Sequence, residues 1–380
     1  MKKILGAIKK EPMLVVSVLA AVISLFITPP SAELLRDIDW RTLGTLFLML
    51  TVLEGFKSEN IFNPVLRLAG KMKSVTALSF FLVFSVFFSS MFVTNDVSLI
   101  IFVPLTMILF RAAGKEQFIL PLLAMENIAA VRGSLLTPFG SPQNLFIYGQ
   151  SGVGAARFIW YMFPAWIISA ALLCVFILAL NRKDLRGKPE IPDDRFPGSL
   201  PPERRWRRIV YLILFACVLV MIVTRTSVWM YIVLVVALFM LFFDRKILLK
   251  TDYVLILTFF CFFVFSSSLA RNEKIAEFLS RAVAGREYFG SIIVSQVISN
   301  VPAAIVLYPF AENKGALLYG LDTAGLCTII GSLASVINYR IYVREYPGKG
   351  RQFLKYFMII SLIFFALVAV PGYFISRAGL

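Results

Sequence analysis

Two stretches of otherwise apolar sequence carry the same polar interruption. The first reads Ser90-Met91-Phe92-Val93-Thr94-Asn95 and continues apolar to Pro104; the second reads Ser295-Gln296-Val297-Ile298-Ser299-Asn300 and continues to Pro309. In each, a Ser stands five residues before the Asn, a hydroxyl residue directly before it and a Pro nine residues after it. An amide without a partner in hydrocarbon is costly. Placing one twice in matching contexts points to a duplicated membrane protein with a polar site between its halves.

The chemistry available to such a site follows from helix ends. A helix that starts at Asn95 or Asn300 inside a membrane turns free N–H groups, carrying roughly +0.5 of a charge, toward its surroundings. Asn caps such a helix well and keeps an amide for a ligand. Two N-termini meeting at the midplane make an anion site. Two further apolar stretches are interrupted, one by Thr137-Pro138-Phe139-Gly140-Ser141-Pro142 and one around Gly331-Ser332-Leu333. Broken helices there free carbonyls, which with Ser and Thr hydroxyls and Asn oxygens suit a small hard cation such as Na⁺. The candidate substrate-binding residues are Thr94, Asn95, Ser141, Pro142, Asn144, Ser299, Asn300, Pro302, Ser335 and Asn338. The candidates for coupling a cation or proton are Asp96, Asn95, Thr137, Gly140, Asn300 and Ser332. Glu54, Glu126 and Arg132 are charges inside apolar stretches and candidate partners for these.

The elements that must hold these residues are transmembrane helices. The chain has 380 residues, 59% hydrophobic and 16% charged, with a mean hydropathy of +0.82. A soluble domain would carry about 25% charged residues. Apolar runs of span length recur throughout, so an all-α polytopic membrane protein is predicted rather than a barrel. The run from Met13 is read as a retained first span, not a signal peptide. The net charge of +16 is assigned to cytoplasmic loops, not to nucleic-acid binding. The four cysteines lack metal-like spacing and there is no histidine. That excludes His-containing metal sites, Ser-His dyads and His relays, and no transition metal or other cofactor is expected beyond Na⁺ or H⁺ as coupling ion.

Charge counting orders the spans. The N-terminal lysines and a basic linker, 181–208, are placed in the cytoplasm. Spans at Met13–Pro29 and Trp40–Gly55 precede a stretch at about 74–110 that enters and returns on the inside. A broken helix at 117–148 and a span at Phe158–Leu180 complete a first repeat, 1–180. The second repeat, 209–380, has an extra span at Ile209–Val223 that inverts it. Its entering-and-returning stretch is at about 289–310 and its broken helix at 317–339. This count puts the Lys/Arg-rich loops inside, the N-terminus inside and the C-terminus outside, in a membrane of the bacterial cytoplasmic type. Each Asn stretch is either two full spans or a re-entrant hairpin. The second, nearer 22 residues, is too short to cross twice at about 1.5 Å per residue, and symmetry extends the hairpin reading to the first. The broken helices are paired as Gly133-Ser134-Leu135 with Gly331-Ser332-Leu333, and Ser141/Asn144 with Ser335/Asn338.

These motifs resemble the ion transporter superfamily, which includes divalent anion:sodium symporters, citrate transporters, arsenical pump membrane proteins and a class of sodium/proton antiporters. The resemblance covers roughly Trp40 to Tyr339. In the dicarboxylate symporters each tip carries Ser-Asn-Thr, which binds a substrate carboxylate; here the tips are Thr94-Asn95-Asp96 and Ser299-Asn300-Val301. The family's Gly-Thr/Ser-Pro-x-Asn motif matches Gly140-Ser141-Pro142-Gln143-Asn144, with a degraded second copy at Ser335-Val336-Ile337-Asn338. The resemblance implies two inverted repeats, a moving domain bearing both hairpins, a scaffold that often dimerises and an elevator-like exchange of access. Asp96 departs from it, placing a carboxylate where the symporters keep a neutral Thr, as the arsenical pump branch does.

The expected function is secondary active transport of a small anion, a di- or tricarboxylate, coupled to Na⁺ or H⁺, with membrane lipid and a second copy of the chain as partners. Arsenite efflux and sodium/proton antiport are the alternatives within the superfamily. An intramembrane enzyme is the remote one, disfavoured by the lack of His and of any paired-carboxylate metal motif.

Overall fold

The computed structural model describes residues 12–182, 205–377 and 380. Among the described residues every regular element is helical. The predicted linker, 181–208, lies mostly outside the described residues. The helices are α1 (Pro12–Ile27), α2 (Ala32–Asp37), α3 (Trp40–Ser58), α4 (Asn63–Leu68), α5 (Val75–Val93), α6 (Asn95–Ala112), α7 (Ile119–Ser134), α8 (Pro142–Ser151) and α9 (Ala155–Leu180). They continue as α10 (Arg205–Thr224), α11 (Trp229–Phe243), α12 (Arg245–Lys250), α13 (Tyr253–Arg271), α14 (Glu273–Val283) and α15 (Glu287–Ile298). The chain closes with α16 (Asn300–Leu307), α17 (Lys314–Ala324), α18 (Leu333–Glu345) and α19 (Gly350–Ser376). Six of these, α5, α6, α9, α10, α13 and α19, are long and apolar enough to cross a membrane by length and composition. The chain is an all-α polytopic membrane protein.

Local chemistry starts the helices where the spans begin. Ser74 caps α5 by accepting from the Ala77 amide, Asp39 caps α3, Asp252 caps α13 and Asn313 caps α17. Each supplies an acceptor to one of the orphaned N–H groups at a helix start. The short helices α2, α4, α12 and α14 were not foreseen. They are helices of six residues or, for α14, an amphipathic segment of 11, too short to give a span-length apolar signal.

Helix α1 packs on α13, and α10 and α11 pack on α3. Around the interrupted stretches α5 packs on α7 and α15 on α17, while α6 packs on α18 and α16 on both α8 and α13. The second arm of each Asn stretch therefore lies against the second half of the opposite broken helix. Small residues permit the closest approaches, as expected where lipid removes the hydrophobic drive between helices. A Cβ at Gly133 would stand 2.0 Å from the Phe87 carbonyl oxygen, and one at Gly320 would stand 2.3 Å from that of Tyr288.

Contacts between loops separate into two ends. At one, Gln150 donates to Asp39 (2.7 Å), Arg41 to the Thr226 carbonyl (3.2 Å) and Arg271 to Asp37 (2.5 Å) and Glu33 (2.7 Å). At the other, Arg207 bridges Glu59 (2.9 Å) and Asp244, and Arg111 meets Tyr346 (3.3 Å). The first set holds loops that charge counting assigned to the outside and the second those assigned to the inside. On that assignment one basic segment falls on the outside: Arg271, Lys274, Arg281 and Arg286 surround α14 at the first end. Arg271 is matched there by Asp37 and Glu33, and Arg281 by Glu277 at 2.5 Å.

Candidate functional site

Both Asn stretches fold as two helices joined by one residue. Thr94 links α5 to α6 with φ 71° and ψ 156°; Ser299 links α15 to α16 with φ 69° and ψ 160°. This region of backbone space is essentially reserved for glycine and costs about 1–3 kcal/mol for other residues. Thr94 is β-branched, which makes its conformation a clear outlier. Two residues separated by 205 positions adopt the same strained geometry. In both, the next residue, Asn95 or Asn300, begins a helix.

The arms differ. α5 and α6 have 19 and 18 residues, each of span length, whereas α15 and α16 have 12 and 8. The length argument for re-entry therefore belongs to the second stretch and does not carry over to the first. α6 runs through Pro104, while α16 ends before Pro309, which lies in a 3₁₀ turn at Tyr308–Phe310.

The tips open on two adjoining cavities that share Asp96, Asp252, Leu255 and Ile337. The smaller, about 120 Å³, is lined at the first tip by Thr94 and Asp96 and across it by Ser141 and Pro142. Glu54, Lys57, Lys250 and Asp252 complete its polar wall. The larger, about 490 Å³, is lined by Ser299 and Pro302 of the second tip, by Asp96 and Asp252, and by Arg340. Glu54 pairs with Lys57 at 2.9 Å, so it is a neutralised wall charge. Asp96 keeps one oxygen without a partner, and so do the Ser299 hydroxyl and the Asn300 amide nitrogen. Asn95 turns its side-chain oxygen onto the Asp96 amide at 2.9 Å, leaving its NH₂ for another acceptor. Neither Asn95 nor Asn300 lines these cavities; Thr94 and Asp96 at the first tip and Ser299, Val301 and Pro302 at the second do.

The broken helices support the tips rather than line the cavities throughout. α7 stops at Ser134 and α8 starts at Pro142, capped by Ser141, which accepts from the Asn144 amide at 3.4 Å. Asn144 is fully buried, and its amide nitrogen donates to the carbonyls of Ser134 (3.3 Å), Leu135 (3.2 Å) and Thr137 (3.3 Å). It gathers three orphaned carbonyls of the break onto one point. Gly140 packs on the Ser134 carbonyl, where a Cβ would lie 2.1 Å away, and Thr137 donates to the Met91 carbonyl beside the first tip.

The second break repeats these contacts in a register that corrects the predicted pairing. α17 stops at Ala324 and α18 starts after Ser332. Gly331 packs on the Ala324 carbonyl, where a Cβ would lie 2.3 Å away, and Thr328 donates to the Gln296 side chain at 2.7 Å, four residues before Asn300. Thr137, Gly140 and Ser141 therefore match Thr328, Gly331 and Ser332, with Ser335 opposite Asn144. The predicted match of Ser141/Asn144 with Ser335/Asn338 is displaced by three residues, and Gly133-Ser134-Leu135 lies at the end of α7, before the break, whereas Gly331-Ser332-Leu333 lies at the far end of the second break, at the start of α18. Capping backbone decides the register: Ser141 has φ −146° and Ser332 φ −145°. The shared signal is Thr-x-x-Gly-Ser, at Thr137–Ser141 and Thr328–Ser332. The broken-helix bounds shift accordingly, from 117–148 to α7–α8 and from 317–339 to α17–α18.

Several candidates stand away from the cavities. Ser335 accepts from Asn127 at 3.0 Å and Asn338 donates to the Leu123 carbonyl at 2.8 Å, which fixes α18 on α7. Glu126 is fully buried and takes a short hydrogen bond from Thr106. Arg132 donates to Ser169 at 2.8 Å and to the Ala165 carbonyl at 3.5 Å. Asn127, Gln143, Asp252, Gln296, Asp322 and Thr328 were not singled out by sequence reasoning. Asp252 precedes a span and reads as an ordinary cap, and Asp322 and Gln143 are single polar residues in apolar surroundings.

The chain is 29% identical over 311 residues to an uncharacterized transporter of Methanocaldococcus jannaschii, covering 81% of this chain and 83% of that protein. It is 29% identical over 343 residues to the inner membrane protein YbiR of Escherichia coli, covering 88% and 87%. Residues 4–318 match the family model for citrate transporters. With that match over most of its length, on an all-helical polytopic frame, the chain belongs to the citrate transporter family.

Proposed function

We propose that this transporter is a secondary carrier of a small anion, a di- or tricarboxylate, coupled to Na⁺ or H⁺ by alternating access. The observation that carries the reading is the pair of strained tips, each a hydroxyl residue followed by an Asn at a helix start, on adjoining cavities that share Asp96. Helix N-termini and the amides of Asn95 and Asn300 favour a carboxylate. Asp96 opposes it unless a cation is bound, so cation and anion each bind well only with the other. That mutual requirement is a coupling device in the thermodynamic sense. Loaded and empty carriers would exchange access as the tip-bearing helices move against α1, α3, α10, α11 and α13. The two halves are read as inverted repeats, in a cytoplasmic-type membrane with the C-terminus outside, and the exposed scaffold face is read as a dimer surface.

The test is uptake of labelled succinate, citrate and arsenite into proteoliposomes under imposed Na⁺ or H⁺ gradients. Gradient-driven succinate or citrate uptake, lost in Asn95→Ala, is expected. Arsenite movement alone, or sodium-driven proton flux without any organic anion, would replace the carboxylate reading with one of its superfamily alternatives.

A further inference from the structure

The small cavity at the first tip has a neighbour on its far side. Along α3 the cavity is lined as far as Glu54 and Lys57, and the next two residues, Ser58 and Glu59, line a separate cleft of about 460 Å³. The facing segment repeats this order. Asp252 and Lys250 line the cavity, while Lys250, Ile247, Lys246 and Arg245 line the cleft. Because α12 packs on α3, cavity and cleft lie end to end between the same two elements, with Lys250 at the join. The cleft stands at the end of the molecule where Arg207 ties α10 to the loops that charge counting assigned to the inside.

The charges of the cleft do not cancel. Arg207, Arg245, Lys246 and Lys250 line it, against the two acids Glu59 and Asp244. Arg207 takes up both acids, Glu59 at 2.9 Å and Asp244 beside it. Asp244 also accepts from the Tyr211 hydroxyl (3.1 Å) and from the Ile247 amide (3.4 Å). Arg245, Lys246 and Lys250 are exposed and form no ion pair among the described residues. The tip cavity beyond them is different: Lys57 is matched there by Glu54, and Asp96 and Asp252 add negative charge. Basic loops are ordinary on the inner face of a membrane. That rule gives cations on a loop; it does not gather them in a cleft whose acids are already taken and which abuts the tip cavity.

We propose that the cleft is an entry site for the carried anion, where Arg245, Lys246 and Lys250 collect a multiply charged carboxylate and Lys250 passes it to the cavity of the first tip. A cleft lined by one sign of charge raises the local concentration of its counter-ion and the rate of capture. Capture of this kind grows with the charge of the anion, weakens as salt screens the cations, and acts on one face of the membrane only. The entry site deepens the carrier reading above and rests on it. The same cations suit a lipid headgroup phosphate, which is the other source of an anion at this place.

The test is initial uptake of labelled citrate and succinate in phosphatidylcholine vesicles of fixed protein orientation, with the anion offered to the cleft face and then to the opposite face. At the cleft face, R245Q/K246Q is expected to raise the anion's half-saturation concentration by about threefold or more, and addition of K250Q to bring the rise to about tenfold. The rise is larger for citrate than for succinate. Half-saturation in the unaltered protein climbs with ionic strength, and in the triple variant it stays nearly flat. At the opposite face R245Q/K246Q leaves half-saturation nearly unchanged. Equal rises at both faces, no rise at the cleft face, or the same salt dependence in all proteins would overturn the entry site. A rise that appears only in vesicles containing phosphatidylglycerol would assign the cleft to a lipid headgroup and overturn it as well. Absence of carboxylate uptake by the unaltered protein from either face would defeat the carrier reading and the entry site with it, whereas uptake without these differences would defeat the entry site alone.

Discussion

The two tips share a backbone conformation and an Asn, and they differ in the next side chain and in their arms. Thr94 and Ser299 hold the same strained geometry, and an Asn starts the next helix in both. The residue after the Asn is Asp96 at the first tip and Val301 at the second. The first tip stands on arms of span length and the second on arms of 12 and 8 residues. Backbone geometry that costs free energy at both tips belongs to what both have in common, which in the proposed carrier is to turn helix N–H groups and an Asn amide on one ligand. The features found at only one tip belong to what distinguishes them. Asp96 lines both cavities and is the only residue of the two tip triplets that brings a charge, so in the proposed carrier cation dependence enters from the first half.

The comparison breaks most easily at the Asn residues. Losing a hydrogen bond to a charged group costs about 1.5–3 kcal/mol, so Asn95→Ala and Asn300→Ala should each cut the initial uptake rate by roughly 10- to 150-fold. Similar losses at both would support a shared ligand; a loss at one alone would split the tips. Gly133→Ala and Gly320→Ala come next. Each Cβ would press on a backbone carbonyl of the first arm, and overpacking of this kind costs about 1–3 kcal/mol, read as a lower melting temperature or a lower yield of folded protein. A substantial shift at one glycine and none at the other would show that the two arm contacts are not equivalent.

Asp96→Asn tests the difference rather than the likeness. It should flatten the dependence of uptake on pH or Na⁺ while leaving residual uptake, and Val301→Asp should add a second titrating acid at the other tip. An unchanged cation and pH profile in Asp96→Asn would reduce Asp96 to a helix-start carboxylate, worth about 0.3–1 kcal/mol. The smallest effect is expected at the junctions. Thr94→Gly and Ser299→Gly relieve strained backbone and should raise the melting temperature, by about 1 kcal/mol of stability each after the extra entropy of glycine is offset. Ser299→Gly should also slow uptake, because it removes a hydroxyl that has no partner within the protein.

Much of this arrangement was legible in the sequence because buried polarity is rare in apolar runs. The Asn residues of the tips, the first break and the segregation of loop charge all stood out for that reason. The second break was less legible because Asn338 matches Asn144 in type but not in place. Its amide serves α7 through the Leu123 carbonyl, whereas the break is set by a capping Ser and by a glycine that lets the chain fold back on a helix end. Asp322 and Gln143 escaped because the hydrogen bond that joins them spans 179 positions of chain. The length of the first arms was legible too, in the run from Ser74 to Phe110 whose only charge is Asp96. Span-length α5 and α6 show that a repeated tip does not require repeated arms.

One anion held from both tips, with a cation beside it, is the central claim. The most direct measurement is gradient-driven uptake of labelled citrate and succinate by the unaltered protein, Asn95→Ala, Asn300→Ala and the double variant, reconstituted side by side. Uptake that needs Na⁺ or H⁺, falls comparably in either single variant and falls little further in the double variant is the predicted result. Full uptake in either single variant, or losses that multiply in the double variant, would contradict a single shared site.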